Sequence, residues 1–183
     1  MASRLILVAH AATTGTQDLV FGDETDLTHP ELVSAEASRV MSWSCGPEPA
    51  CTQTAAGLVD HSGRAEVVTE LAGLDVGRWR GRPFGEVVEE DPDGVRRWMT
   101  DPSARPHGGE SLARLVARVG AYCDGREWPP GRNVAVVTPL VARAMVVHAL
   151  AVGPEAIFRV DLAPLGRVAV SRHGASWRLQ GLG

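Results

Sequence analysis

Two short runs constrain this chain more than anything else in it: residues 4–9 (RLILVA) and 133–138 (NVAVVT). Each is apolar at successive positions rather than alternate ones, which a strand tolerates only when both its faces are covered. Strands covered on both faces belong to the interior of a parallel-rich sheet flanked by helices. The stretches around them supply the helices. Residues 27–43 carry Thr28 and Glu31 at capping-box spacing, with Pro30 in the first turn. Residues 51–59 predict a second helix, and 84–100 predict two short ones broken at Pro92. Leu112, Leu115, Val116, Val119 and Tyr122 form a helical stripe within 109–124, and Pro139 opens a helix running through Leu150. Residues 44–49 hold two prolines, each of which would remove a ladder donor, so this stretch is expected to be irregular and not a central strand. Residues 66–71 read as a short strand, and 158–182 as β-like runs with turns at Pro164-Leu165-Gly166 and His173-Gly174. The expectation is a single α/β domain over residues 1–183, a three-layer α/β/α sandwich around a mostly parallel central sheet.

Composition narrows the function classes. With 44% hydrophobic and 22% charged residues, the 183-residue chain can bury a core, which argues against disorder. The net charge of −4 and the lack of a Lys/Arg-rich run argue against a nucleic-acid partner. No stretch approaches the roughly 20 apolar residues needed to span a bilayer. The start lacks the apolar segment and cleavage site of a secretory signal, so a cytoplasmic location with no membrane partner is expected. Cys45, Cys51 and Cys123 match no zinc spacing; Cys45 and Cys51 could pair, and reduced buried thiols are the alternative. No set of His, Asp and Glu has metal-ligand spacing, and neither metal nor cofactor is implied.

A series of segments, in order, resembles the histidine phosphatase (phosphoglycerate-mutase-like) superfamily. These are LILVAHAAT (5–13), TQTAAGL (52–58), LDVGRWRG (74–81), HGGESL (107–112) and VAVVT (134–138). The His-Ala-Ala-Thr start, the Gly-Arg-Trp-Arg-Gly run and FRVDLAPL (158–165) look closest to a subgroup found in high-GC bacteria. The resemblance implies a histidine-phosphatase-like fold in which a neutral imidazole attacks phosphorus and forms a phosphohistidine. Two arginines and a second histidine would stabilise the transferring oxygens, and a carboxylic acid would protonate the leaving alcohol. On the matching positions His10 is the nucleophile. Ala9 stands where the first arginine belongs and Ala11 where a glycine does. Ala50 replaces the second arginine, Gly73 the acid, and Pro139 follows Thr138 where the second histidine is expected. Losing one transition-state donor alone commonly lowers rates about 100- to 1,000-fold.

The expected function is therefore a diverged family member that has lost the phosphate-binding set and uses the His10 pocket for other small-molecule chemistry. The alternatives are a non-catalytic binding or scaffold protein and a weak phosphomonoesterase working through phospho-His10. A protein partner or a second copy is left open. His10 ends a buried strand, where open α/β sheets place their ligands. Glu110 and Asp75 are candidate proton donors; the competing readings are a helix-start charge and a turn-forming carboxylate. Thr13, Thr14, His107 and Arg143 are candidate ligand contacts, with loop capping the competing reading for the two threonines. Trp79, Trp98 and Trp128 read as packing and His148 as structural. Arg172-His173-Gly174 spells the family's signature tripeptide in the wrong place and reads as a turn.

Overall fold

The two apolar runs become neighbouring strands. In the computed structural model, which describes residues 3–22, 25–33, 39–59 and 63–182, β1 (Ser3–Ala9) pairs in parallel with β4 (Gly131–Val137), Leu5 facing Asn133 and Val8 facing Val136. Among the described residues four further strands join the sheet: β2 (Ser42–Cys45), β3 (Glu66–Val67), β5 (Arg167–His173) and β6 (Ser176–Leu182). Their order is β3-β2-β4-β1-β5-β6, with β5 antiparallel to both its neighbours and the other pairings parallel.

Among the described residues six α-helices flank it: α1 (Thr14–Gln17), α2 (Pro49–Leu58), α3 (Phe84–Glu90), α4 (Pro92–Thr100), α5 (Leu112–Gly125) and α6 (Pro139–Ala149). Period-two geometry splits β1 between two cores. Leu5, Leu7 and Ala9 join the cluster formed with α5, α6 and Trp79, whereas Ile6 and Val8 meet Cys51, Ala55 and Leu58 of α2. Three layers result. Leu7 is wholly buried. Cys45, Cys51 and Cys123 are buried thiols with no disulfide among them.

The expected helix over 27–43 does not form within the described residues; positions 34–38 lie outside them. Thr28 Oγ1 bonds the Ala12 carbonyl instead of capping a helix, Pro30–Leu32 makes one 3₁₀ turn, and Ser42–Cys45 is a strand. That strand also corrects the expectation for 44–49. It is interior, between β3 and β4, and it ends before Pro47, so no proline removes a ladder donor. Pro49 instead opens α2, where its missing N–H costs nothing. The strand expected over 66–71 pairs only at Glu66–Val67 and then tightens into the 3₁₀ turn Thr69–Leu71. Arg172-His173-Gly174 lies at the β5–β6 hairpin, with Gly174 at φ +62°. Among the described residues no helix is long and apolar enough to cross a membrane.

Candidate functional site

Parallel register sets the site. Ala9 lies beside Val137, so the residues that follow, His10 and Thr138, leave adjacent strand ends together, and the His10 amide donates to the Val137 carbonyl at 2.9 Å. The loop beyond is held by the Ala11 amide donating to Thr54 Oγ1 at 2.9 Å. His10 is completely buried, and its Nδ1 lies 2.7 Å from the Ala11 carbonyl. A carbonyl only accepts, so Nδ1 carries the proton and the neutral ring keeps its lone pair on Nε2. Nε2 has no hydrogen-bond partner among the described residues. Burial holds the imidazole below its ordinary pKa, against the Ala11 carbonyl and the Glu48 carboxylate, which both favour the charged ring. The result is a neutral imidazole whose Nε2 is buried and unpartnered, the protonation state that a base or nucleophile requires.

His10 borders a cavity of about 610 Å³, with Thr138, Pro139 and Arg143 from the start of α6. The rest of the lining is largely apolar and aromatic, including Phe21, Leu74, Phe84, Trp98 and Phe158. Arg143 is the one cation in it among the described residues, and its guanidinium meets Asp161 at 3.0 Å. Ala50 is fully buried in a small apolar cluster with Ala11 and Leu27.

Of the candidate catalytic and ligand-contact residues named from sequence, His10 and Arg143 meet at this cavity and the others do not. Thr13 is buried and caps α1, its Oγ1 accepting from the Thr16 amide at 3.1 Å, and Thr14 is exposed; neighbouring Gly15 and Thr16 line the cavity instead. Asp75 Oδ1 accepts the Gly77 amide at 3.0 Å, closing a turn. Glu110 forms a two-point ion pair with Arg118, at 3.0 and 2.7 Å, and Arg118 also donates to the Glu70 and Ala72 carbonyls. His107 sits in the core, its ring 5.0 Å from that of Trp79, and its Nδ1 accepts the Gly109 amide at 3.0 Å. Burial lowers its pKa as well. His148 contacts Asp124, which also accepts from the Trp177 indole.

Two residues were not anticipated. Thr138 caps α6 by position, yet its hydroxyl makes no capping bond and is buried without a partner. Its only sequence signal was a hydroxyl ending a buried strand. Glu48 Oε1 accepts the Gly73 amide at 2.6 Å, while its Oε2 is buried without a partner. Nothing in the sequence spacing links Glu48 to Gly73. No group of three or more His, Cys, Asp or Glu among the described residues is arranged to hold a metal ion.

Comparison with known proteins gives consistent neighbours. A model of the histidine phosphatase superfamily (branch 1) matches residues 5–183. A bifunctional protein of Mycobacterium tuberculosis is 35% identical over 113 residues, 58% of this chain and 30% of that protein. Phosphoserine phosphatase 1 of Hydrogenobacter thermophilus is 36% identical over 94 residues, 48% of this chain and 44% of that protein. The matches thus span less than half the length of these relatives. A mycobacterial glucosyl-3-phosphoglycerate phosphatase solved with VO₃ superposes with a TM-score of 0.81 at 21% identity, covering 98% of each chain. The α-ribazole phosphatase of Shigella flexneri gives 0.79 at 17% identity, covering 98% of this chain and 95% of that one. At these identities the solved structures establish the fold.

Proposed function

This chain belongs to the histidine phosphatase superfamily, and we propose that it is a diverged member whose His10 cavity serves small-molecule chemistry other than phosphomonoester hydrolysis. One observation carries the reading: His10 offers an unpartnered Nε2 beside a cavity in which a single described cation, Arg143, is already engaged by Asp161. A phosphate dianion needs several fixed donors and positive charges around it. The positions that the family resemblance assigns to that task hold Ala9, Ala50, Gly73 and Pro139. Ala50 packs in an apolar cluster, and the Glu48 carboxylate, though outweighed at His10 by burial, adds negative charge on the same side. Both features work against an anion at Nε2. The neutral imidazole is suited to taking a proton from an uncharged polar group on a bound molecule.

Weak phosphomonoesterase activity is the second reading. It draws on the phosphatases among the solved neighbours and on the His10 ring itself, since Nδ1 on a carbonyl and a free Nε2 also suit a phosphohistidine. One experiment separates the two. The purified chain and its His10→Ala variant are assayed on a broad phosphomonoester panel, with trapping of phosphohistidine. The first reading expects equal, background turnover and no trapped adduct. Turnover and adduct that both vanish in His10→Ala would establish the second.

A further inference from the structure

Four side chains that line the same cavity carry buried polar atoms without partners: His10 Nε2, Thr138 Oγ1, Trp98 Nε1 and Arg143 Nε. Proteins rarely leave such groups unmet, because a donor or acceptor buried alone gives up its hydrogen bonds to water and gains none in return. Their gathering on one cavity points to a molecule that meets them. Thr138 is the most telling. A threonine at a helix N-cap ordinarily turns its hydroxyl back onto the first-turn amides, but here the hydroxyl makes no such bond. Thr138 is only 2% exposed, and it leaves its strand end beside the completely buried His10. The pair offers one hydroxyl donor and one imidazole acceptor.

Charge limits what this pair can take. A methyl group placed on Gly73 would stand 3.1 Å from Thr138 Cγ2, 3.6 Å from Thr138 Oγ1 and 3.4 Å from Glu48 Oε1, so the carboxylate and the threonine share the Gly73 neighbourhood. Apolar and aromatic side chains make up most of the remaining wall. We propose that the cavity binds a largely apolar molecule bearing an uncharged hydroxyl or carbonyl group, held between Thr138 Oγ1 and His10 Nε2. A hydroxyl donates to Nε2 and accepts from Thr138; a carbonyl accepts from Thr138. This rests on the reading that the His10 cavity is a small-molecule site not built for phosphate, and it specifies the ligand class of that site.

The test uses probes that share one apolar body and differ in the polar group: 2-naphthylmethanol, 2-acetonaphthone, 2-naphthoate and 2-naphthyl phosphate, with 2-methylnaphthalene as the apolar control. Binding to the intact chain is measured by calorimetry and by the chemical shift of the His10 ring. The alcohol and the ketone are expected to bind at least about 10-fold more tightly than either anion. Thr138→Val is expected to lower their affinity about 3- to 10-fold, the worth of one net hydrogen bond, and to leave the control unchanged. Thr138→Ser, which keeps the hydroxyl, is expected to retain it. Unchanged alcohol affinity in Thr138→Val overturns the proposal, as does the absence of binding by every probe. Tight binding of 2-naphthoate overturns this inference alone. Tight binding of 2-naphthyl phosphate with release of 2-naphthol overturns it together with the proposed function.

Discussion

The Glu48 carboxylate holds the Gly73 amide at 2.6 Å, joining the start of α2 to a strap 25 residues further along. Family resemblance assigns an acid to position 73. The chain has glycine there, and a carboxylate reaches the same neighbourhood from another element. An inserted Cβ would already press on Thr138 at 3.1 Å.

Glu48→Gln keeps an acceptor for the Gly73 amide and removes the charge. Because that charge raises the His10 pKa against the larger effect of burial, His10 is expected to titrate at still lower pH in the variant. NMR titration of the imidazole measures this directly. A His10 midpoint unchanged by the substitution would show that Glu48 has no electrostatic hold on it.

Stability should fall on mild acidification. His10 and His107 both have folded-state pKa values below the unfolded value of about 6.5. Their neutral forms contribute full stability above that value. As pH falls through 6.5 the unfolded chain takes up protons first, and stability is lost until the folded-state values are passed. Urea unfolding at pH 7.5 and pH 5 is expected to show the lower midpoint at pH 5. His10→Gln is expected to shrink the difference.

Arg118 stitches the strap before Gly73 to α5 through the Glu70 and Ala72 carbonyls and the Glu110 carboxylate. Arg118→Met removes these charge-assisted bonds and leaves their acceptors unmet, at a cost of about 2–3 kcal/mol. Chemical denaturation reads the loss. Glu110→Gln, which keeps acceptors for Arg118, is expected to lose less than half as much.

His107→Ala opens a hole against Trp79 and deprives the Gly109 amide of its acceptor. A loss of about 2–4 kcal/mol is expected, with His10 chemical shifts in the folded protein changing little. Large shifts at His10 would mean that the two histidines are coupled after all.

Gly77 sits at φ +47°, and a Cβ there would stand 2.2 Å from the His107 carbonyl oxygen. Gly77→Ala therefore combines backbone strain with a clash against main chain and is expected to cost about 3 kcal/mol or more. A smaller loss in thermal or urea unfolding would mean that the 107–109 loop yields easily.

Legibility in the sequence followed locality. β1, β4, α5 and α6 carry their own pattern, continuous apolar runs or a helical stripe, so their places could be read directly. β2 has no such pattern: Ser42–Cys45 is too short and mixed, and it becomes a strand through its partners Asn133–Val136 and Glu66–Val67. The same limit applies to the site. His10 was marked by its position after a buried strand, whereas Glu48 lies among prolines and gains meaning only when folding sets it against Gly73. Thr138 could be seen as a strand end, but the idleness of its hydroxyl depends on how α6 begins. Asp75, Glu110 and His107 belong to segments that carry the family resemblance, yet here they hold a turn, a strap and a core.

The buried cysteines have a practical consequence for labelling. Burial pushes the Cys123 thiol up to about 12 and raises that of Cys45, and Cys51 is equally enclosed, so thiol reagents find little native target. Met99 lines the cavity and is 44% exposed, and a cysteine placed there would be the chain's one exposed thiol. A dye or spin label attached at Met99→Cys then reports occupancy of the cavity without any native cysteine first being removed.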